Sequence, residues 1–367
     1  MISPKPEGQR ATATADLAQF PVRLRLVFRE LPSPLLRICV VTGFVLIVMG
    51  FAAYIEVLTI RPDPFAYQRP VFDSYHGFRT LATLLAGLGI TVAAGNVFEP
   101  SIELRNSHMV WLLINLYTAI AAATLVISNI ALFNRIAVED GPVENATALL
   151  LFVASAVFGS TSWQLTKRAE KQRFAAALCI CLGAGFFVLG MEEISWMQRI
   201  IGYKTPASLY RLNWQHEVNL HNTHTFVVEC LYYSVSAFAL VLLPALKPSF
   251  GEWPAFRPLL AFVPGPETAL LTAPAFLFNF AHWDVMPVQL ALWVTAGAVS
   301  LITLQQRRGI PSALSFLVLL GLLGGQAAVL WGGMSSSIMP DSTEYQEFWI
   351  ALGYVCFSIG TRARLLD

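Results

Sequence analysis

The sequence predicts an all-α membrane protein, a polytopic bundle of about ten transmembrane helices with both termini in the cytoplasm. Three observations carry that expectation. Of 367 residues, 56% are hydrophobic and only 13% are charged, against about 25% charged in soluble domains. Apolar runs recur along the chain at the length a bilayer core demands, about 20 residues in a helix. Lysine and arginine gather in alternate connections between those runs.

The chain opens on a basic, proline-containing segment, residues 1–35, expected to be disordered. The apolar run after it is too long for a cleavable signal. Residues 36–367 then form a single transmembrane domain. Its spans are expected at 38–60, 80–98, 109–132, 146–166, 174–191, 222–246, 258–281, 286–304, 312–332 and 342–362. Pro264-Gly265-Pro266-Glu267 interrupts the seventh, which is expected to be short, starting near Glu267, or broken. The last has a short apolar core, and Asp341 with Glu344 forms a capping box that starts its helix at Ser342.

Orientation follows from the basic residues. Lys5, Arg10, Arg23, Arg25, Arg29 and Arg37 place the N-terminal segment in the cytoplasm. Alternation then puts Lys167, Arg168, Lys171 and Arg173 inside, with Lys247, Arg257, Arg307, Arg308, Arg362 and Arg364. The first outer loop, with Arg61, Arg69 and Arg79, fits this less well. In that register residues 192–221 face outward. So do His76, His216, His221, His224 and His282, leaving only His108 on the other side. The implied location is the cell inner membrane, with membrane lipids as partners. A net charge of +1 gives no reason to expect nucleic acid. The five cysteines all fall inside apolar runs, so no disulfide framework is implied.

The stretch 192–221 is an interfacial belt of polar residues. If the fifth span continues as a helix, Glu192, Ser195, Trp196 and Arg199 share one face, and Glu192 pairs with Arg199. Glu193 then points elsewhere, which makes it the better ligand or general base. Gly202 is the expected helix stop. Thr205-Pro206 starts a short interfacial helix over 206–212, and Asn219 caps the sixth span. On a helix, Glu217, His221 and His224 follow at spacings of four and three. They can share a face and offer mixed oxygen and nitrogen ligands. Singly, each histidine reads equally as an interfacial polar group. His282 and Asp284 can form an oriented imidazole, or Asp284 can cap the next helix. No Gly-x-Ser-x-Gly, Walker A or Gly-x-Gly-x-x-Gly motif occurs, and Ser195 and Ser335-Ser336-Ser337 carry no mark of activation.

The belt resembles the signature of an uncharacterised family of bacterial multi-pass membrane proteins. That signature runs Glu-Glu-Ile-Ser-Trp-Gly-Gln-Arg, then Gly and Thr-Pro, then Asn-x-Gln-x-Glu-x-Asn-Leu-His-Asn. Here it falls on Glu192 to Arg199, Gly202, Thr205-Pro206, Asn213, Gln215, Glu217, Asn219, Leu220, His221 and Asn222. Met197 stands where the signature has glycine, and His216 and His224 lie outside it. The resemblance covers about a tenth of the chain and carries no established activity. It implies that Glu192, Glu193, Glu217, His221 and Asn222 act together.

The expected function is an integral membrane enzyme, a hydrolase or transferase acting on a lipid or lipid-linked substrate at the outer face. Glu193, Glu217, His221 and His282 are the candidate catalytic groups. Arg199, Trp196 and Asn222 are the candidate substrate contacts, Arg199 through a phosphate or carboxylate. A divalent metal such as zinc is the candidate cofactor, drawn from His221, Glu217, Glu193 and His224. The alternatives are a secondary transporter, favoured by the broken seventh span with Glu267, Asn115 and Asn129, and a non-catalytic partner in an envelope complex.

Overall fold

A computed structural model of the chain describes residues 74–94, 106–138, 140–168, 172–213, 215–244, 247, 254–278, 286–306, 309–332 and 338–366. The expected first span and the N-terminal segment lie outside these residues. Every regular element among the described residues is helical.

The chain begins with α1 (Ser74–Ala94), α2 (Asn106–Ser128) and the short α3 (Ile130–Ile136). Asn129 separates the last two, and its side chain caps α3 by accepting from Leu132 N. A turn at Asp140-Gly141 leads into the antiparallel pair α4 (Pro142–Arg168) and α5 (Arg173–Glu193). The belt holds α6 (Gln198–Ile201) and α7 (Ala207–Leu212). It leads through a 3-10 turn, His221–Thr223, into α8 (Thr225–Ala237), which runs on as a π turn, Phe238–Leu242. The stretch expected as the seventh span is interrupted. A 3-10 stretch, Pro254–Phe262, meets α9 (Pro266–Thr272) and its 3-10 extension, Ala273–Phe276, at a 43° bend. Last come α10 (Met286–Gln305), α11 (Ile310–Gly332) and α12 (Ile338–Leu366).

Among the described residues, five helices are long and apolar enough to cross a membrane, or six if the bent pair counts as one span. These are 108–128, 142–168, 173–193, 288–305 and 310–328. Three expected spans fall short of that standard for visible reasons. The apolar part of α1 covers only Gly77–Ala93, and that of α8 with its π turn only Val227–Leu242. In α12, Glu344 and Glu347 at one end and Arg362 and Arg364 at the other enclose the uncharged stretch 348–361. The capping-box expectation at Asp341 is also corrected. The helix begins at Ile338 and runs 29 residues, about 43 Å at 1.5 Å per residue.

The core sits where α4, α5 and α12 meet. Phe158 stacks on Phe186 at 5.8 Å, Phe186 lies 4.7 Å from Tyr354, and Phe158 meets Phe357 edge-on at 5.5 Å. Gly183 lets α5 close on α4, since a Cβ there would meet Ser155 O at 3.2 Å. Trp349, fully buried, donates to Thr118 Oγ1 of α2 at 3.1 Å, and Tyr345 donates to Phe133 O at 3.1 Å.

These pairings make the bundle bipolar. The N-terminal ends of α4, α8 and α12 and the C-terminal end of α5 converge at one end with Glu144, Glu193, Glu229, Glu344 and Glu347. At the other end Arg168 donates to Leu366 O, Arg362 to Ser160 Oγ at 3.0 Å, and Arg364 to Ala261 O at 2.9 Å.

Candidate functional site

The belt starts with a break in α5. The chain does not continue as a helix past Glu193, because Ser195, Trp196 and Met197 have φ of 46°, 56° and 62°. Each non-glycine residue in this left-handed region costs about 1–2 kcal/mol, so other contacts must hold the turn. Ser195 donates its hydroxyl to Glu217. Trp196 Nε1 donates to Glu192 Oε1 at 2.6 Å, and Tyr203 donates its hydroxyl to Trp196 O at 3.1 Å. The expected shared face of Glu192, Ser195, Trp196 and Arg199 is therefore lost. Arg199 binds Glu217 and Asp140 instead of Glu192.

Gly202, at φ 79°, stops α6 as expected, and α7 falls where the short helix over 206–212 was expected. Thr205 does not cap it. Its hydroxyl donates to His216 O at 2.6 Å and accepts from Gln198 Nε2 at 2.8 Å. Gln198 Oε1 in turn accepts from Val218 N at 2.7 Å.

Residues 215–219 fold around Asn213, which is 1% exposed. Its Oδ1 accepts from Gln215 N at 2.9 Å and Glu217 N at 3.3 Å, an Asx turn. Its Nδ2 donates to Asn219 O at 2.8 Å and Asn219 Oδ1 at 2.6 Å. Asn219 Nδ2 then reaches Ser195 Oγ at 3.0 Å. Asn219 is thus part of this network and not the cap of the next helix. Asn222 Nδ2 donates to Gln215 Oε1. His216 stacks on Tyr210 at 4.0 Å and bonds Tyr210 O through Nδ1 at 2.7 Å.

The two adjacent glutamates part company. Glu192 turns to the belt, where its Oε2 accepts from Leu220 N at 2.6 Å and His221 N at 3.2 Å, with His221 Nδ1 at 3.5 Å. Glu193 turns to the bundle and is hydrogen-bonded to Glu347 of α12. Two carboxyl groups in a hydrogen bond must share a proton. Tyr233 of α8 donates to Glu347 Oε1 at 3.4 Å. Glu144, Glu229 and Glu344 lie within electrostatic reach of this pair, and Glu229 and Glu347 within reach of His221. Burial pulls the His221 imidazole down. The hydrogen bond to Glu192 and the surrounding carboxylates outweigh it, so its pKa stands above the ordinary 6.5.

Glu193 and His221 therefore share one end of the bundle, while Glu217 belongs to the adjoining Ser195–Arg199–Asn219 network. The expected helical face of Glu217, His221 and His224 does not form, because α8 starts only at Thr225. His224 is exposed, with its Nδ1 3.2 Å from Thr223 Oγ1. Among the described residues no three His, Cys, Asp or Glu side chains are placed to hold a metal ion together. Trp196 is 37% exposed and Asn222 5% exposed. His282 and Asp284 lie outside the described residues, as do the side chains of His76 and Asp341.

Sequence reasoning missed Glu347. The spacing Glu344-x-x-Glu347 was its signal, since it puts two carboxylates on one face next to an apolar run. It also missed Asp140 as the partner of Arg199, a contact between residues remote in the chain.

Fold and site together define a membrane-embedded helical protein with an acidic site at one end of its bundle. Family models, curated proteins and solved structures searched with this chain give no match.

Proposed function

We propose that the chain is an inner-membrane enzyme of about ten spans, with both termini cytoplasmic. It would act as a hydrolase or transferase on a lipid or lipid-linked substrate at the outer face. The observation that carries this reading is the hydrogen-bonded pair Glu193–Glu347, placed where three helix N-termini and one C-terminus meet. A proton-sharing carboxyl pair supplies an acid and a base together. His221, oriented by Glu192, adds an imidazole on the same side. Exposed Trp196 suits the depth of lipid headgroups.

Arg199 already binds two carboxylates, so it serves the fold of the belt more than a substrate phosphate. No step is routed through a metal, because the expected donors are divided between two networks. The resemblance to the multi-pass family fits this division. Its residues Gln198, Thr205, Asn213, Gln215, Glu217 and Asn219 build the belt that holds Glu192 and Glu193 in place.

The test is incubation of purified protein with vesicles of a total polar lipid extract, with products followed by mass spectrometry. Wild type is expected to convert at least one lipid species, and Glu193→Gln and Glu347→Gln none. A wild type that changes no lipid, or a Glu193→Gln variant as active as wild type, would remove the proposal.

A further inference from the structure

The belt is inside out for a segment that stands in water. Its polar side chains turn inward. Ser195, Asn213, Glu217, Asn219 and Asn222 are all buried and joined by the hydrogen bonds described above. Its aliphatic side chains turn outward. Ile200, Ile201, Leu212 and Leu220 are each 66% or more exposed. Each follows or adjoins a member of the inner network, Arg199, Asn213 or Asn219. A water-facing loop does the reverse, since buried polar groups and large exposed apolar ones are the arrangement that needs a reason. Such a surface marks a place where something else docks.

Three observations say what covers it. The first is continuity. Phe187 and Val188 of α5, just before the belt, and Val227, Val228 and Leu231 of α8, just after it, are exposed too, and α5 is long and apolar enough to cross a membrane. The lipid-facing side of the bundle thus runs into the belt from both ends. The second is charge. From Trp196 to Leu212 the chain carries Arg199, Lys204 and Arg211 and no carboxylate. Asp140 and Glu217 hold Arg199. Lys204 and Arg211 are exposed and make no ion pair among the described residues. The third is the set of rings. Trp196, Tyr203 and Tyr210 are at least 37% exposed, and such rings favour the depth of lipid headgroups.

We propose that the belt is a docking surface for anionic phospholipid. Its aliphatic shell sinks into the leaflet on the acidic side of the bundle, while Lys204 and Arg211 reach back to the lipid phosphates. Segments of this kind, apolar on one side and basic on the other, lie in the interface with their apolar groups about 5–10 Å deep. Long basic side chains keep their charge at headgroup level from there. A second copy of the chain fits less well, because a two-fold contact would set this patch against itself, cation facing cation. The surface goes beyond the proposed reaction, because it holds whichever lipid that reaction consumes.

The full chain is reconstituted in phosphatidylcholine–phosphatidylglycerol vesicles with an environment-sensitive fluorescent amino acid in place of Leu212. Lipids brominated in their acyl chains are expected to quench it, and aqueous iodide to leave it bright. Quenching by iodide alone would put the belt in water. Quenching by neither would mean that protein covers it. Either result overturns the proposal. The anionic choice is read with spin-labelled phosphatidylglycerol and phosphatidylcholine, as the preference of the protein for the first. Lys204→Gln combined with Arg211→Gln is expected to lower that preference about fivefold, and an unchanged preference would overturn the phosphate contact. Both exposed positions lie outside the buried network, so the variant is expected to fold. Lipid turnover is scored separately, so the docking surface and the enzyme reading can each fail alone.

Discussion

At the residue scale, the belt turns on backbone conformations that few side chains favour. Met197 has φ 62°, and the resembling signature has glycine at that position. Met197→Gly removes a cost of about 1 kcal/mol, so the thermal midpoint of detergent-solubilised protein is expected to rise by a few degrees. A fall would show that the Met197 side chain holds the turn. His221 gives a second outcome. Its pKa is raised on folding, so its contribution is complete below the unfolded value of about 6.5 and fades as pH rises through the higher folded value. Stability is therefore expected to decline as pH rises from about 6.5 through the higher folded value, and the decline to flatten in Glu192→Gln, measured as thermal midpoint against pH. The sequence shows which residues the belt would use, because alternating Asn213, Gln215, Glu217 and Asn219 are legible as polar groups. It does not show their partners. Three successive left-handed residues without a glycine leave no trace in spacing, so the helical wheel drawn through 192–199 fails there.

At the scale of elements, the same failure explains how the belt docks. A helix through Arg199 would return its side chain to Glu192. The break at Ile194 sends it instead to Glu217 and to Asp140 in the turn before α4. The two contacts are unequal. Arg199 and Asp140 are 47% and 42% exposed, while Glu217 is only 11% exposed. Asp140→Asn is expected to cost under about 1 kcal/mol and to lose that cost in high salt. Arg199→Ala strips the buried Glu217 of its cation and is expected to cost about 2 kcal/mol, with weaker salt dependence. Unfolding at low and high salt separates the two, and equal effects would show that Glu217 is not the main partner. Long apolar elements were legible from composition and length, as α4 and α5 show, and the break at Pro264-Gly265-Pro266 was legible from proline. The start of α12 was not. Asp341 and Glu344 have the spacing of a capping box, but the helix runs past it to Ile338 because a cap pattern inside a longer helix is only a pair of acids.

For the whole molecule, charge is divided between the two ends, and that division fixes what a topology experiment should find. Asp140, Glu144, Glu193, Glu217 and Glu347 gather where α5 ends, while Lys167, Arg168, Arg173, Arg362 and Arg364 gather where it begins. The helix between them, Arg173–Glu193, has 21 residues and is long and apolar enough to cross a bilayer, about 31 Å of rise. If this helix crosses, the segments before Arg173 and after Glu193 lie on opposite sides of the membrane whichever way the bundle faces. Basic residues favour the cytoplasm, so reporter fusions should give a cytoplasmic signal at 170 and an external signal at 204. Signals on the same side would mean that α5 does not span, and the belt would lose the membrane that positions it. Reversed signals would keep the bundle but move the acidic site to the cytoplasmic leaflet, and with it the leaflet from which any lipid substrate is drawn.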